Sequence, residues 1–263
     1  AVTLTTEATP TSDVGEYVIT GTSTSTNYTV AVKDGTLTIS KANIVFSEED
    51  ILTITGTYGQ KVNEMQVTGP ATSKNGAAGT WSLDLDAIED TVEEIVLPVE
   101  IPEEYKEFRV KFTPVDDKNY NVYPNTSAET PQEPVFATTV VLPKEVTVRA
   151  DDKTKVYGEE NPELTYTFDK SVLVQPDTED ALGITLKTEA TKESGGRTGG
   201  YPITGTSDSV NYAVTVLPGT LTITQAEATI TIAEGQDSYV KSYGGADFKL
   251  EGITTNSNGG FVY

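Results

Sequence analysis

Apolar and polar residues alternate with a period of two along much of the chain, which places successive side chains on opposite faces of a strand. The alternation is clearest in Tyr28–Val32, in Thr36–Ser40 and in the run GTLTITQAEATITI at 219–232. Lys33-Asp34-Gly35 stands between the first two runs, and Leu217-Pro218-Gly219 occupies the matching place later in the chain. Glycine there would supply the positive φ of a tight turn, so a hairpin is predicted at both places, the second through a Pro-Gly type II turn. Pro98, Pro102, Pro114, Pro124, Pro131 and Pro134 cannot donate to a ladder and mark edges and loops. One stretch breaks the pattern. Residues 84–107, DLDAIEDTVEEIVLPVEIPEEYKE, carry ten carboxylates, with Leu85, Ile88, Val92 and Ile95 at helical spacing. A strand–loop–strand is expected there in preference to a short helix, because Thr, Val and Ile suit strands.

The pattern also repeats. Residues 27–39, NYTVAVKDGTLTI, return as NYAVTVLPGTLTI at 211–223. An Asn-Tyr pair occurs at Tyr28, Tyr120 and Tyr212, spaced 92 and 92 residues. A Tyr-Gly pair occurs at Tyr58, Tyr157 and Tyr243, spaced 99 and 86, each followed seven residues on by Met65, Leu164 or Leu250. VTLTTEAT (2–9) matches ITLKTEAT (184–191), and GEYVITGTS (15–23) matches GGYPITGTS (199–207). Such periodicity is the mark of a tandem array. The expected organisation is the closing half of a repeat at 1–42, a complete divergent repeat at 43–145, a complete repeat at 146–226 and the opening of a further one at 227–263. The array is expected to be elongated and all-β, built of small antiparallel sandwich-like modules, with a β-grasp-like sheet as the alternative. Tyrosines that recur at fixed phase argue for a packing role.

The run ADDKTKVYGEENPELTYTF (150–168), with GGYPITGTSDSVNYAVTVLPGTLTIT (199–224), resembles the MBG ("mostly bacterial glycine-rich") repeat, and residues 1–42 match its second half. Residues 43–145 look like related repeats of Gram-positive surface proteins, through TYGQKV (57–62), GTW (79–81) and FTPVDDKNYN (112–121), but lack the Gly-x-Leu-x-Ile strand after Tyr120. The resemblance implies a stalk or adhesin segment of a secreted bacterial surface protein, and brings no catalytic residues with it.

Composition narrows this further. The 263 residues hold 40 acidic and 18 basic side chains, a net charge of −22, with no His and no Cys. Such a field repels nucleic acid and anionic membrane surfaces, so neither is expected as a partner. Disulfides, zinc–thiolate sites and cysteine or histidine catalysis are excluded outright. Ser and Thr follow strand alternation without a nucleophile motif, and no enzyme is expected. The charge is uneven: 43–145 holds 19 acidic and 7 basic residues, whereas 146–226 holds 12 and 7.

Four kinds of site remain as candidates. Ca²⁺ is the one cofactor that the acidic loops would admit, through Asp116, Asp117, Asp151, Asp152, Asp177 and Asp180. None has EF-hand spacing, and solvated turn residues are the expected outcome. Trp81, Tyr105, Tyr120 and Tyr123 raise the idea of a platform for a host glycan. Lys41, Lys111, Lys144 and Lys155 lie where isopeptide cross-links would need them. Asn27 and Asn125 head glycosylation sequons that carry no meaning in a bacterial protein. The expected partners are neighbouring repeats, with head-to-tail self-association into a fibre, or a host glycan or protein, as further possibilities.

Overall fold

The structure, a computed structural model, describes residues 1–127, 131–235, 238, 240, 242–245 and 251–256. Leu250 lies outside the described residues. The chain forms two compact units, one of 1–146 with 173–181 and 209–213, the other of 147–172, 182–208 and 214–263.

The first unit opens with β1 (Val2–Thr6), β2 (Gly15–Ser23) and β3 (Gly35–Ile39), an antiparallel sheet in that order. Then come β4 (Thr53–Thr57), β5 (Gln66–Thr68), β6 (Gly79–Leu83), β7 (Glu107–Pro114) and β8 (Val135–Leu142), in the sheet order β5-β4-β8-β7-β6. Strands β4 and β8 are parallel, from Thr53↔Thr138 to Thr57↔Leu142. One face of this sheet is buried by period-two alternation: Ile54, Phe108, Val110, Ala137 and Val141 meet Val62, Met65, Leu83 and Leu97 in one apolar cluster. Between β6 and β7 the acidic stretch makes a single helical turn, α1 (Asp90–Glu93), flanked by tighter turns at Leu85–Ala87 and Glu103–Tyr105. Its helical spacing was the better guide, because Ile88, Val92 and Ile95 pack on that cluster while most of the carboxylates, Asp84 and Glu93 apart, are exposed.

The chain continues with β9 (Lys144–Ala150), β10 (Lys153–Val156), β11 (Tyr166–Thr167), β12 (Ile184–Thr188), β13 (Tyr201–Ser207), β14 (Tyr212–Leu217) and β15 (Gly219–Thr224). Two sheets result, β10-β15-β13-β12 and β11-β9-β14. The pair β16 (Ile230–Ile232) and β17 (Ile253–Thr255) is antiparallel. Leu221, Ile203, Ala150 and Ala190 are buried together, with Tyr157, Leu164 and Tyr201 packed against them.

The architecture is all-β, but it is not purely antiparallel. Strand β10 runs parallel to β15, as β4 does to β8. In 43–145 this sets the first strand beside the last, as in the β-grasp-like alternative, whereas in 146–226 it is the second strand, β10, that lies beside the last. The predicted hairpins are also corrected. Strands β14 and β15 lie in different sheets, and in the first copy 27–34 is not a strand at all. Neither Gly35 nor Gly219 has a positive φ. Gly219 is needed for another reason: a Cβ there would lie 2.5 Å from the Ala150 carbonyl oxygen and 2.8 Å from that of Asp151. Two backbones cross where the chain changes sheets, and only glycine fits.

Candidate functional site

The Tyr-Gly landmark is a turn. Gly59, Gly158 and Gly244 have φ of 103°, 84° and 72°, the left-handed region that glycine adopts without a Cβ clash. In each case the residue after the glycine donates its N–H to the carbonyl of the residue before the tyrosine: Gln60 to Thr57 at 2.9 Å, Glu159 to Val156 at 3.1 Å and Gly245 to Ser242 at 3.1 Å. This is a type II turn with Tyr and Gly at its two central positions. It follows β4 at Tyr58 and β10 at Tyr157, and the tyrosine N–H reaches across to the last strand of the repeat, Tyr58 to Leu142 O at 2.8 Å and Tyr157 to Thr224 O at 2.9 Å.

The Asn-Tyr landmark is a joint between repeats. Asn119 accepts the Ala42 N–H on its backbone carbonyl at 2.8 Å and the Val14 N–H on its side-chain oxygen at 2.8 Å. Its amide nitrogen donates to Asp13 Oδ1 at 2.8 Å and to Asp116 Oδ2 at 2.9 Å. Lys118 pairs with Asp13, and these two partners hold the Asp13 carboxyl below its ordinary range. Asn211 repeats the pattern one period on, accepting the Lys144 N–H on its carbonyl at 2.9 Å and the Val99 N–H on its side chain at 3.0 Å. Ala42 stands three residues beyond the end of β3 and Lys144 two beyond the end of β8, and each gives its backbone N–H to the asparagine of the next repeat.

The second joint carries an added phenol pair. Tyr58 and Tyr212 meet edge to face with ring centroids 5.4 Å apart. Both hydroxyls donate to Asp177 Oδ2, at 2.9 Å and 2.7 Å, and the Tyr212 oxygen accepts the Val174 N–H at 2.8 Å. Burial, reinforced by the Asp177 carboxylate, pushes both phenols up to about 12.

The tyrosines divide. Tyr212 is 1% exposed, and Tyr58, Tyr120 and Tyr157 are half-buried. Tyr28 and Tyr243 are exposed, at 77% and 108%, so the packing expectation fails for those two. An identical dipeptide packs only where other chain segments arrive to cover it.

The acidic candidates are dispersed among turn contacts. Asp116 accepts from Asn119, Asp152 takes the Thr220 N–H at 2.7 Å, Asp151 accepts from the Thr165 hydroxyl, and Asp177 holds the two phenols. Lys41 donates to the Asp117 carbonyl, and Asp180 lies in the short turn Glu179–Leu182. Among the described residues no group of three or more acidic, His or Cys side chains gathers as a metal site would require. Of the platform aromatics, Trp81 and Tyr123 close with Phe46 and Phe112 into one cluster, where Tyr120 also packs, and Trp81 donates to the Pro70 carbonyl at 3.0 Å. Tyr105 stacks on Phe108. Among the lysines, Lys155 is 4% exposed, with its ammonium on the carbonyls of Glu159 (3.0 Å) and Thr191 (2.6 Å). Lys111 pairs with Asp84 and Asp86.

The two outer copies build one ladder. Ile19↔Gly35, Val18↔Thr36 and Tyr17↔Leu37 in the first correspond to Ile203↔Gly219, Pro202↔Thr220 and Tyr201↔Leu221 in the second. The sequence model of the MBG domain, YGX type, matches residues 1–38 and 146–222. These two stretches are MBG-type domain sequence. The YGX turn of the MBG domain at 146–222 is thus Tyr157-Gly158-Glu159, with Glu159 Oε2 accepting the Val156 N–H at 3.1 Å to close it from the side. Gln60 closes the corresponding turn at Tyr58 by taking the Thr57 N–H at 2.7 Å, although 39–145 lies outside the match. No curated protein matches the chain. Among the described residues no helix is long and apolar enough to cross a membrane.

Proposed function

We propose that this chain is a structural spacer segment, without catalytic activity, of a secreted bacterial surface protein or adhesin. The observation that carries the reading is the repeated joint: Asn119 and Asn211 apply the same two backbone contacts to consecutive repeats. The recurrent polar chemistry of the chain is spent on holding repeats together. MBG domains belong typically to surface proteins, which supports the location. An antibody raised against residues 1–263 is expected to label intact producing cells; labelling only after lysis would refute the surface assignment.

A second reading, a module that binds a host glycan, has one specific observation in its favour. An open cleft of about 350 Å³ is lined by Trp81, Tyr123, Phe46 and Phe136 beside Asp50. Trp81 is the only tryptophan in the chain, so its fluorescence reports directly on that cleft. Titration with a panel of host saccharides is expected to leave the emission unchanged. A saturable change would move the assignment from spacer to binding module.

A further inference from the structure

The joint has a giving and a receiving half, and among the described residues one Asn-Tyr corner and one Tyr-Gly cleft stand open. The giving half is an Asn-Tyr corner. At the second joint, Ser209 Oγ accepts the Tyr212 N–H at 3.2 Å and so sets the corner's shape. Ser25 does the same for Tyr28 at 3.2 Å, and also accepts from the Asn27 N–H at 3.4 Å. The Asn27–Tyr28 corner is therefore preformed, yet its ring is 77% exposed where that of Tyr212 is 1% exposed.

The receiving half is the Tyr-Gly turn together with a residue two or three places beyond the repeat's last strand. At the second joint these are Tyr58 and Lys144. Their equivalents one repeat later are Tyr157, fixed by the same N–H to its last strand, and Ala226. An open cleft of about 700 Å³ lies there, lined by Tyr157, Gly158, Gln225 and Ala226 among others.

We propose that the Asn27–Tyr28 corner of one copy of this chain seats in the Tyr157–Ala226 cleft of a second copy. The Asn27 carbonyl would take the Ala226 N–H, as Asn119 and Asn211 take those of Ala42 and Lys144. The Tyr28 ring would lie against Tyr157, as Tyr212 lies against Tyr58. Among the described residues each copy offers one such corner and one such cleft, so the contact is heterologous and propagates head to tail. It needs no added strand, and it stands apart from the spacer reading, since a ligand-binding array would associate in the same way.

The contact is small, and the net charge of −22 opposes it, so association should be weak and promoted by salt. Sedimentation of the full chain in 0.3–0.5 M NaCl (roughly two- to three-fold above physiological ionic strength), at concentrations up to about 1 mM, is expected to show concentration-dependent oligomers. Tyr28→Ala and Ala226→Arg should each weaken this at least tenfold while leaving the melting temperature unchanged, because both positions are exposed. Mixing the two variants restores one intact joint, from the Ala226→Arg corner to the Tyr28→Ala cleft, and should give dimers that grow no further. A wild-type chain that stays monomeric throughout overturns the proposal; so does a Tyr28→Ala chain that associates like wild type, or a variant mixture that forms no dimer.

Discussion

Asp177 accepts two phenols on one carboxylate oxygen, and Tyr212 is the more deeply buried of them. Replacing Tyr212 by Ala removes a buried ring and is expected to cost about 3–5 kcal/mol in equilibrium denaturation. Tyr212→Phe keeps the ring but leaves the Val174 N–H and Asp177 each short of a partner, for about 1–3 kcal/mol. A pH dependence follows from the same pair. An unfolded tyrosine titrates near 10, whereas both of these phenols are pushed up to about 12. The folded state binds these protons more tightly, so their contribution is whole below pH ~10 and is lost as pH rises through ~12. Denaturant midpoints measured from pH 8 to 12 should fall in that upper window, and less steeply in the Tyr58→Phe, Tyr212→Phe double variant. An equal fall in both proteins would show that other groups cause it.

Among the elements, the two GTLTI strands make a matched pair with different surroundings. Gly219 begins β15 beneath the crossing at Ala150 and Asp151, while a Cβ on Gly35, at the start of β3, would meet only Ile19 at 3.7 Å. Gly219→Ala should therefore destabilise by about 1–3 kcal/mol, since the obstructing atoms are backbone and cannot turn aside. Gly35→Ala should be neutral or stabilising by up to ~1 kcal/mol, because it restricts only the unfolded chain. Thermal melts of the two variants check this, and equal losses would mean that the glycine serves the local turn at both sites. The neighbouring strands tell the same story. Residues 212–217 form β14 in the sheet that contains β9, whereas 28–32, with the same alternation, form no strand. Alternation prepares a segment for a sheet; a partner strand makes it one.

For the whole molecule, the net charge of −22 is the largest unbalanced quantity. Bound Ca²⁺ would offset it, but the acidic candidates already serve turns, an N–H contact at Thr220 and the phenol pair. Binding confined to the folded state would raise the melting temperature with the logarithm of concentration. Millimolar CaCl₂ is expected to shift the melt no further than NaCl or MgCl₂ of equal ionic strength. A larger rise specific to Ca²⁺ that saturates would establish a site and displace the reading of these loops as solvated turns.

The sequence by itself determined what neighbours in the chain decide. Tyr-Gly stood out in the sequence as a landmark at three places, and each proves to be a positive-φ turn closed by residues three apart. The period of 92 residues between Asn-Tyr pairs and the strand alternation were equally legible, as was the MBG pattern of 1–38 and 146–222. The joints were not. Asn119 works on Asp13 and Val14, more than a hundred positions away, and Asn211 on Val99, 112 positions away. No short-range preference encodes such meetings. The tertiary structure alone settled that Tyr212 is buried and Tyr28 exposed, and that Pro218-Gly219 joins two sheets where a hairpin was expected. Local conformation is a property of a few adjacent dihedrals, but burial and strand pairing belong to whatever distant segments arrive, and identical dipeptides meet different ones.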